Sequence, residues 1–468
     1  MKSFAFSTLA LLVLGGCATL DPDAGFAPVQ QATQQRLGST LVWARSEADR
    51  DAIDGRVAEL LREPLSADAA VQLALLNNAG LQARFHELGI AQADLLQASL
   101  PPNPGFSFGR LRQGSGLEID RGLHINLARW LTLPMARQIE ARNLERSRGA
   151  VTVAVLQLAA QTRRAHTLAL AAEQTVGYMR QVRDAAEAGA ELARRQAQTG
   201  NWSRLQQARE QGFYADAMLN LARAEQARVA TRELLTRLLG LWGEQVRFRL
   251  PERLPDLPKV ADELPDIEQT AMAQRLDVAA AKQGAEQLAA NLGLVKMTRF
   301  VNVLELGALR NTFRDAPVER GYELSVELPL FDWGTARVAK AEAIYRQALS
   351  RTAETAINAR SEVRAAYAGY RSAYDIARHY RDEIVPLRKR IADENLLRYN
   401  GMLIGVFELL ADARAQIGSV NGAIEAQRDF WLAQAELDMA LIGPAGAMPM
   451  SAPAAALPTI TSAADPAH

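Results

Sequence analysis

The chain has 468 residues, 49% of them hydrophobic and 23% charged, which is enough apolar material for a substantial core and too much for a disordered polymer. Fifty-three basic residues balance fifty-three acidic ones, so no global field draws the chain to nucleic acid. A single cysteine excludes an intramolecular disulfide framework.

The N-terminus reads as an export signal. Lys2 supplies a positive start, an apolar run extends from Phe4 to Leu14, and small residues follow; residues 1–16 are expected to be cleaved. Cys17, preceded by Leu14-Gly15-Gly16, resembles the acylated cysteine of a bacterial lipobox, which makes 17–64 a lipid-anchored N-terminal segment. Ala18 and Thr19 place no Asp at the second mature position, and by resemblance to sorted lipoproteins this points to the outer membrane. Downstream of Cys17 no apolar run reaches the roughly eighteen residues that a spanning helix needs, so a membrane crossing would fall to a β-barrel.

Residues 65–250 are read as a first repeat. Gly105 to Arg112 and Leu117 to Ala128 have strand character around the turn Gln113-Gly114-Ser115-Gly116, placing strands at about 105–128. No proline occurs between Pro134 and Pro251, and the Ala, Leu, Arg, Gln and Glu content there favours helix. Leu144, Val151, Leu158, Ala165, Ala172, Met179 and Ala186 recur at the heptad spacing of a coiled-coil seam. The pattern breaks at Thr199-Gly200-Asn201-Trp202-Ser203, so a helical hairpin of about 134–240 is expected, with a first arm of roughly 100 Å. Residues 251–265 are a proline-rich linker.

The second repeat, 266–443, follows the same plan. Ala74-Leu75-Leu76-Asn77-Asn78-Ala79-Gly80-Leu81 is echoed by Ala271-Met272-Ala273-Gln274-Arg275-Leu276-Asp277-Val278. Strands are expected within about 300–330, as Phe300 to Leu309 and Tyr322 to Leu330, and a hairpin at about 332–443 turns at Asn400-Gly401-Met402. Tyr322, Leu324, Val326 and Leu328 alternate with Glu323, Ser325 and Glu327. Period two puts the two sets on opposite faces, and in a membrane strand Glu323 and Glu327 would face the lumen. The Ala/Pro/Ser tail, 444–468, is expected to lack structure.

Four strands cannot close a membrane barrel, which takes about eight or more. Several chains would each contribute four. Trp130, Phe331 and Trp333 stand where strand meets helix, either as an interfacial girdle or as core plugs at the joint.

The junction Glu327-Leu328-Pro329-Leu330-Phe331-Asp332-Trp333-Gly334, followed by Ala336-Arg337, resembles the strand-to-helix motif of TolC-type outer-membrane efflux proteins. So do Arg398-Tyr399-Asn400-Gly401 with Phe407-Glu408-Leu409-Leu410 and Ala413-Arg414 at the second hairpin turn, and Pro101-Pro102-Asn103-Pro104 before the first strand. The resemblance spans about residues 65 to 443. It implies a mainly helical homotrimer with a twelve-stranded barrel in the outer-membrane lipid and a helical tunnel, passively conducting small molecules or ions from an inner-membrane pump through a periplasmic adaptor. It makes Gly200, Asn201, Gly401, Met402, Leu403 and Ile404 the adaptor-facing tips. Two aspartates narrow the tunnel mouth in the best-known members; the ungapped register sets Phe407 and Leu410 there, leaving Glu408 and Asp412 nearby as gate candidates.

His86, His124, His166, His379 and His468 show no HxxxH or CxxC spacing, and no phosphate loop or GxSxG elbow occurs. No metal, cofactor or catalytic residue is therefore expected. Two other readings stay open: a periplasmic coiled-coil adaptor lipoprotein, and a purely structural coiled-coil lipoprotein.

Overall fold

The computed structural model describes residues 23, 25–113, 116–298, 304–313, 317–326, 331 and 333–444. The signal segment, Cys17, Glu327, residues 299–303 and the tail from 445 onward lie outside them.

Helices α1 (Phe26–Leu37), α2 (Glu47–Leu60), α3 (Ala67–Asn77) and α4 (Ala79–Ser99) precede a hairpin of β1 (Gly105–Gln113) and β2 (Gly116–Asn126). Helix α5 (Leu127–Gln198) then runs for 72 residues, roughly 110 Å at the usual helical rise, and α6 (Arg204–Leu239) returns alongside it. In the second half α7 (Ile267–Gln274) and α8 (Leu276–Thr298) precede β3 (Leu304–Phe313) and β4 (Glu319–Val326). Helix α9 (Thr335–His379), a π-turn at Tyr380–Ile384 and α10 (Val385–Asn400) form a second long arm, and α11 (Val406–Ile442) returns.

The two halves share a structural joint. Asn78 ends α3, accepts the Leu81 amide as N-cap of α4, and donates to the Leu238 carbonyl at 2.9 Å, near the end of the returning helix α6. Arg275 occupies the matching place between α7 and α8 and donates to the Ala440 carbonyl at 2.9 Å, near the end of α11. Both satisfy carbonyls that a helix terminus leaves unpaired. Arg275 is only 2% exposed, and its charge is compensated by Asp277 at 2.7 Å and Glu362 at 2.8 Å, as a buried guanidinium requires.

Cores lie around these joints. Leu73, Leu76, Ala165, Ala169, Leu235 and Leu239 pack together in the first half, and Ala271, Val363, Tyr370, Phe430 and Leu437 in the second. Each large side chain so buried contributes roughly 1.5–3 kcal/mol. Along the α5 seam Leu144, Val151, Ala165 and Ala186 are buried, and Leu158, Ala172 and Met179 half-buried. The heptad spacing marks only part of the packed surface: Val155, Leu156, Ala159, Thr162, Ala169, Leu170, Ala171, Val176, Val182 and Ala190, off that spacing, are buried as well.

Several boundaries differ from the sequence expectation. α5 begins at Leu127, ahead of Pro134, because the Asn126 side chain accepts the Arg129 amide at 2.8 Å and starts the helix there. Ala128 is consequently helical, and Pro134 lies in the second turn of α5. β3 continues past Leu309 to Phe313 because its far end finds partners on both β2 and β4. α9 starts at Thr335, behind Gly334 at φ 72°. Pro386 does not end the second arm. The π-turn before it bonds the Val385 amide to the Tyr380 carbonyl, shifting the ladder by one residue where proline brings no donor.

All four strands form one antiparallel sheet in the order β1-β2-β3-β4. The central pairing joins the halves, with Asn126 opposite Glu305 and Glu118 opposite Phe313. The outer edges of β1 and β4 carry no strand among the described residues.

Candidate functional site: a two-faced sheet and the hairpin tips

Residues directly opposite one another in an antiparallel sheet share a face, so the register sorts every strand side chain. One face reads, from the helix end outward, Leu304 and Val326; Ile125, Leu306 and Leu324; Phe106, Leu123, Ala308 and Tyr322; then Phe108, Arg121, Arg310 and Arg320. Ile119 and Leu117 continue it with Arg110, Arg112 and Thr312. The other face carries Glu118, Asp120, Glu305, Glu319 and Glu323, with His124, Asn126, Asn311, Ser107, Ser325 and glycines, and with Leu111, Leu309 and Phe313 toward its outer end. Charge is thus fully segregated. Among the described strand residues every arginine is on the apolar face and every carboxylate on the polar one.

The apolar face has no cover. Phe106, Phe108, Leu123, Leu306, Tyr322, Leu324 and Val326 are all exposed, an arrangement that an isolated soluble sheet would not sustain. Trp130, Leu131 and Trp333 are exposed at the helix end, and Phe331 is 99% exposed. The polar face is kept open by small residues: a Cβ at Gly105 would collide with the His124 ring, and one at Gly122 with the Ser107 hydroxyl. Glu323 is exposed on that polar face. Glu327, its expected companion, is outside the described residues.

The hairpin tips lie at the other end of the rods. Gly200 adopts φ 80° with open space around it, and the Asn201 side chain donates to Gln196 Oε1 at 3.0 Å. Ser203 and Gln206 form a capping box that restarts the helix. The second turn works differently from expectation. Gly401 sits at an ordinary φ of −78°, and the left-handed residue is Met402, at φ 58°. The amides of Gly401 and Leu403 bond back to the Leu397 and Arg398 carbonyls at 3.0 and 2.9 Å, closing the helix one residue later than a glycine reversal would. Met402 and Leu403 are strongly exposed, and Ile404 is half-buried.

The two gate candidates are in unlike settings. Glu408 is exposed. Asp412 is half-buried and accepts a hydrogen bond from Asn395 across its own hairpin. A stronger link nearby joins the two hairpins: Arg414 on α11 pairs with Glu210 on α6 at 2.7 Å, and its guanidinium lies 4.4 Å from the Phe213 ring centroid. Glu210 is 3% exposed. Arg414 belongs to the motif already noted, but its partner is 204 positions away, and no local pattern announces it.

The described residues thus form a continuous sheet with arginines and carboxylates on opposite faces, extended by two long helical hairpins. The chain has the fold of the TolC-type outer-membrane channels. No family model and no curated protein matches the chain, but solved structures do. The outer membrane channel MtrE of Neisseria gonorrhoeae, in its open state, is 20% identical with a TM-score of 0.65, covering 82% of this chain and 88% of MtrE. The Campylobacter jejuni outer membrane channel CmeC is 14% identical with a TM-score of 0.64, over 86% of this chain and 88% of CmeC. CusC, studied for folding and transmembrane channel formation, is 17% identical with a TM-score of 0.66, over 81% of this chain and 92% of CusC.

Proposed function

We propose that the protein is the outer-membrane exit duct of a tripartite efflux system, a lipid-anchored homotrimer that passively conducts small molecules or ions delivered by an inner-membrane pump and a periplasmic adaptor. The observation that carries this reading is the segregated sheet. Its apolar face demands lipid, its open β1 and β4 edges demand neighbours, and three copies would supply a twelve-stranded barrel. The carboxylate face would then line the lumen and favour cations. An adaptor lipoprotein would have no use for an uncovered apolar sheet face in line with two hairpins, and the fold neighbours are channels.

Purified protein should run as a heat-modifiable trimer and give cation-selective conductance in a planar bilayer; a monomer without conductance would end this reading. Fatty-acid labelling should vanish in Cys17→Ser. Leu403→Asp with Ile404→Asp should abolish export while leaving the trimer in the outer membrane, because the tip is the part placed to meet an adaptor. If Glu408→Ala with Asp412→Ala leaves conductance unchanged, those two residues are not the gate.

A further inference from the structure

Resting on the barrel reading above, we propose that the lipid-facing surface carries a binding site for the phosphate groups of outer-leaflet lipid, built from Arg121, Arg310 and Arg320, with Arg110 and Arg112 beyond them.

The register compels this row. Arg121 stands directly opposite Arg310, and Arg310 directly opposite Arg320, on three adjacent strands. Like charges so placed repel, and nothing on their face answers them. Among the described residues none of these arginines takes part in an ion pair; Arg121 donates only to the Thr312 hydroxyl, at 3.3 Å. The sheet does hold carboxylates, yet Asp120, Glu319 and the others point through the opposite face. Among the described residues nothing supplies counter-charge to the row, which leaves that part to a ligand.

Its position says from where. Both long hairpins leave from the Asn126 and Val326 ends of the strands, so the arginines occupy the end farthest from the periplasm. Arg310 lies about 20 Å along β3 from Leu304, or roughly 15 Å of height at a barrel strand's usual tilt. Phe108 shares the row itself; immediately below come the exposed aromatics Phe106 and Tyr322 with Leu123 and Ala308 between them, below those the aliphatic rows, and beyond the row Ile119 and Leu117 alternate with Arg110 and Arg112. This succession of aliphatic, aromatic and cationic rows matches acyl chain, interface and headgroup. A guanidinium presents a planar fork that suits two oxygens of one phosphate. The surface therefore fits an amphiphile whose chains cover Leu306 and Leu324 while its phosphates meet the arginine row. The phosphorylated glucosamine headgroup of lipid A, in the outer leaflet, has that chemistry. A soluble anion would fill only half the site.

The test is native mass spectrometry of the full-length trimer with lipid A carrying both phosphates, with the same lipid dephosphorylated, and with inorganic phosphate as competitor. The wild type should bind the phosphorylated lipid about tenfold or more tightly than the dephosphorylated one, a gap of the size expected for several charged hydrogen bonds. Arg121→Gln with Arg310→Gln and Arg320→Gln should erase that preference, and Ser325→Gln on the opposite face should retain it. Should the triple variant not assemble, Arg320→Gln alone should cut the preference severalfold. Equal binding of the two lipids by a heat-modifiable wild-type trimer, an unchanged preference in the variants, or displacement of the lipid by inorganic phosphate would each overturn the site while leaving the channel reading intact. A wild type that forms no heat-modifiable trimer would overturn both.

Discussion

The pair Glu210–Arg414 offers the sharpest energetic test of how the hairpins are held together. Its oxygen and nitrogen lie 2.7 Å apart, with the Glu210 side chain 4% exposed and that of Arg414 35% exposed. Arg414→Met would strand a buried carboxylate, and removal of one partner from such a pair costs about 3 kcal/mol or more. Water reaching the arginine side of the contact keeps the loss at the lower end. Glu210→Met leaves a cation that retains the Phe213 ring and partial access to solvent, so about 1–2 kcal/mol is expected. The double variant replaces both charges with apolar volume and should lie within about 1 kcal/mol of the wild type. The coupling energy, the two single losses less that of the double variant, is then roughly 4–5 kcal/mol, well above the few tenths found for independent sites. Unfolding of the trimer in detergent at one fixed protein concentration, followed by circular dichroism, measures it. Additive single-variant losses would show that the contact does not join the hairpins energetically.

Other outcomes follow from individual side chains. Leu324→Arg, in the middle of the apolar face, should lower folding yield by an amount equivalent to about 2–4 kcal/mol, whereas Ser325→Arg on the polar face should be tolerated; equal yields would contradict the face assignment. Met402→Gly should raise the thermal midpoint, since relief of a left-handed non-glycine residue is worth about 1 kcal/mol; an unchanged midpoint would mean that the turn carries no such strain. His166 is buried beside a cavity of about 710 Å³ lined also by Leu170, Trp431 and Asp438. Its Nε2 lies 2.7 Å from the Leu65 carbonyl, and burial holds its pKa below the ordinary value. The unfolded chain therefore takes up the proton first, and this contribution to stability is lost as pH falls below about 6.5, by up to about 1.4 kcal/mol per unit. Burial raises the Asp438 carboxyl pKa, which acts in the opposite sense: its contribution is present at low pH and lost as pH rises. His166→Gln should flatten the loss between about pH 7 and 5.5, and an unaltered pH profile would refute the assignment.

What could be read early and what could not divides along the range of the interactions. The long arms were legible because proline-free stretches and the Leu144 to Ala186 heptads are local signals, and α5 runs on either side of that seam. The break near Gly200 was legible for the same reason. Met402 was not, since the left-handed position depends on which carbonyls the closing amides of Gly401 and Leu403 find. A π-turn carries the second arm through Pro386, and Gly422 of α11 leaves room for the Tyr380 ring at that turn.

Alternation within β4 was visible in Tyr322, Leu324 and Val326, and period two by itself dictates that Glu323 faces the other way. Period two also suffices to put Arg310 with Leu306 and Arg121 with Leu123. Only the pairing of β2 with β3 brings those arginines side by side and gathers the carboxylates of both halves on one surface, because register is a relation between strands at least 179 positions apart. The same holds for Glu210 and Arg414. Local periodicity determined the rods, the strands and the duplication; long-range pairing decided which charges meet, because the backbone can bring any two segments together and only the packed whole selects among them.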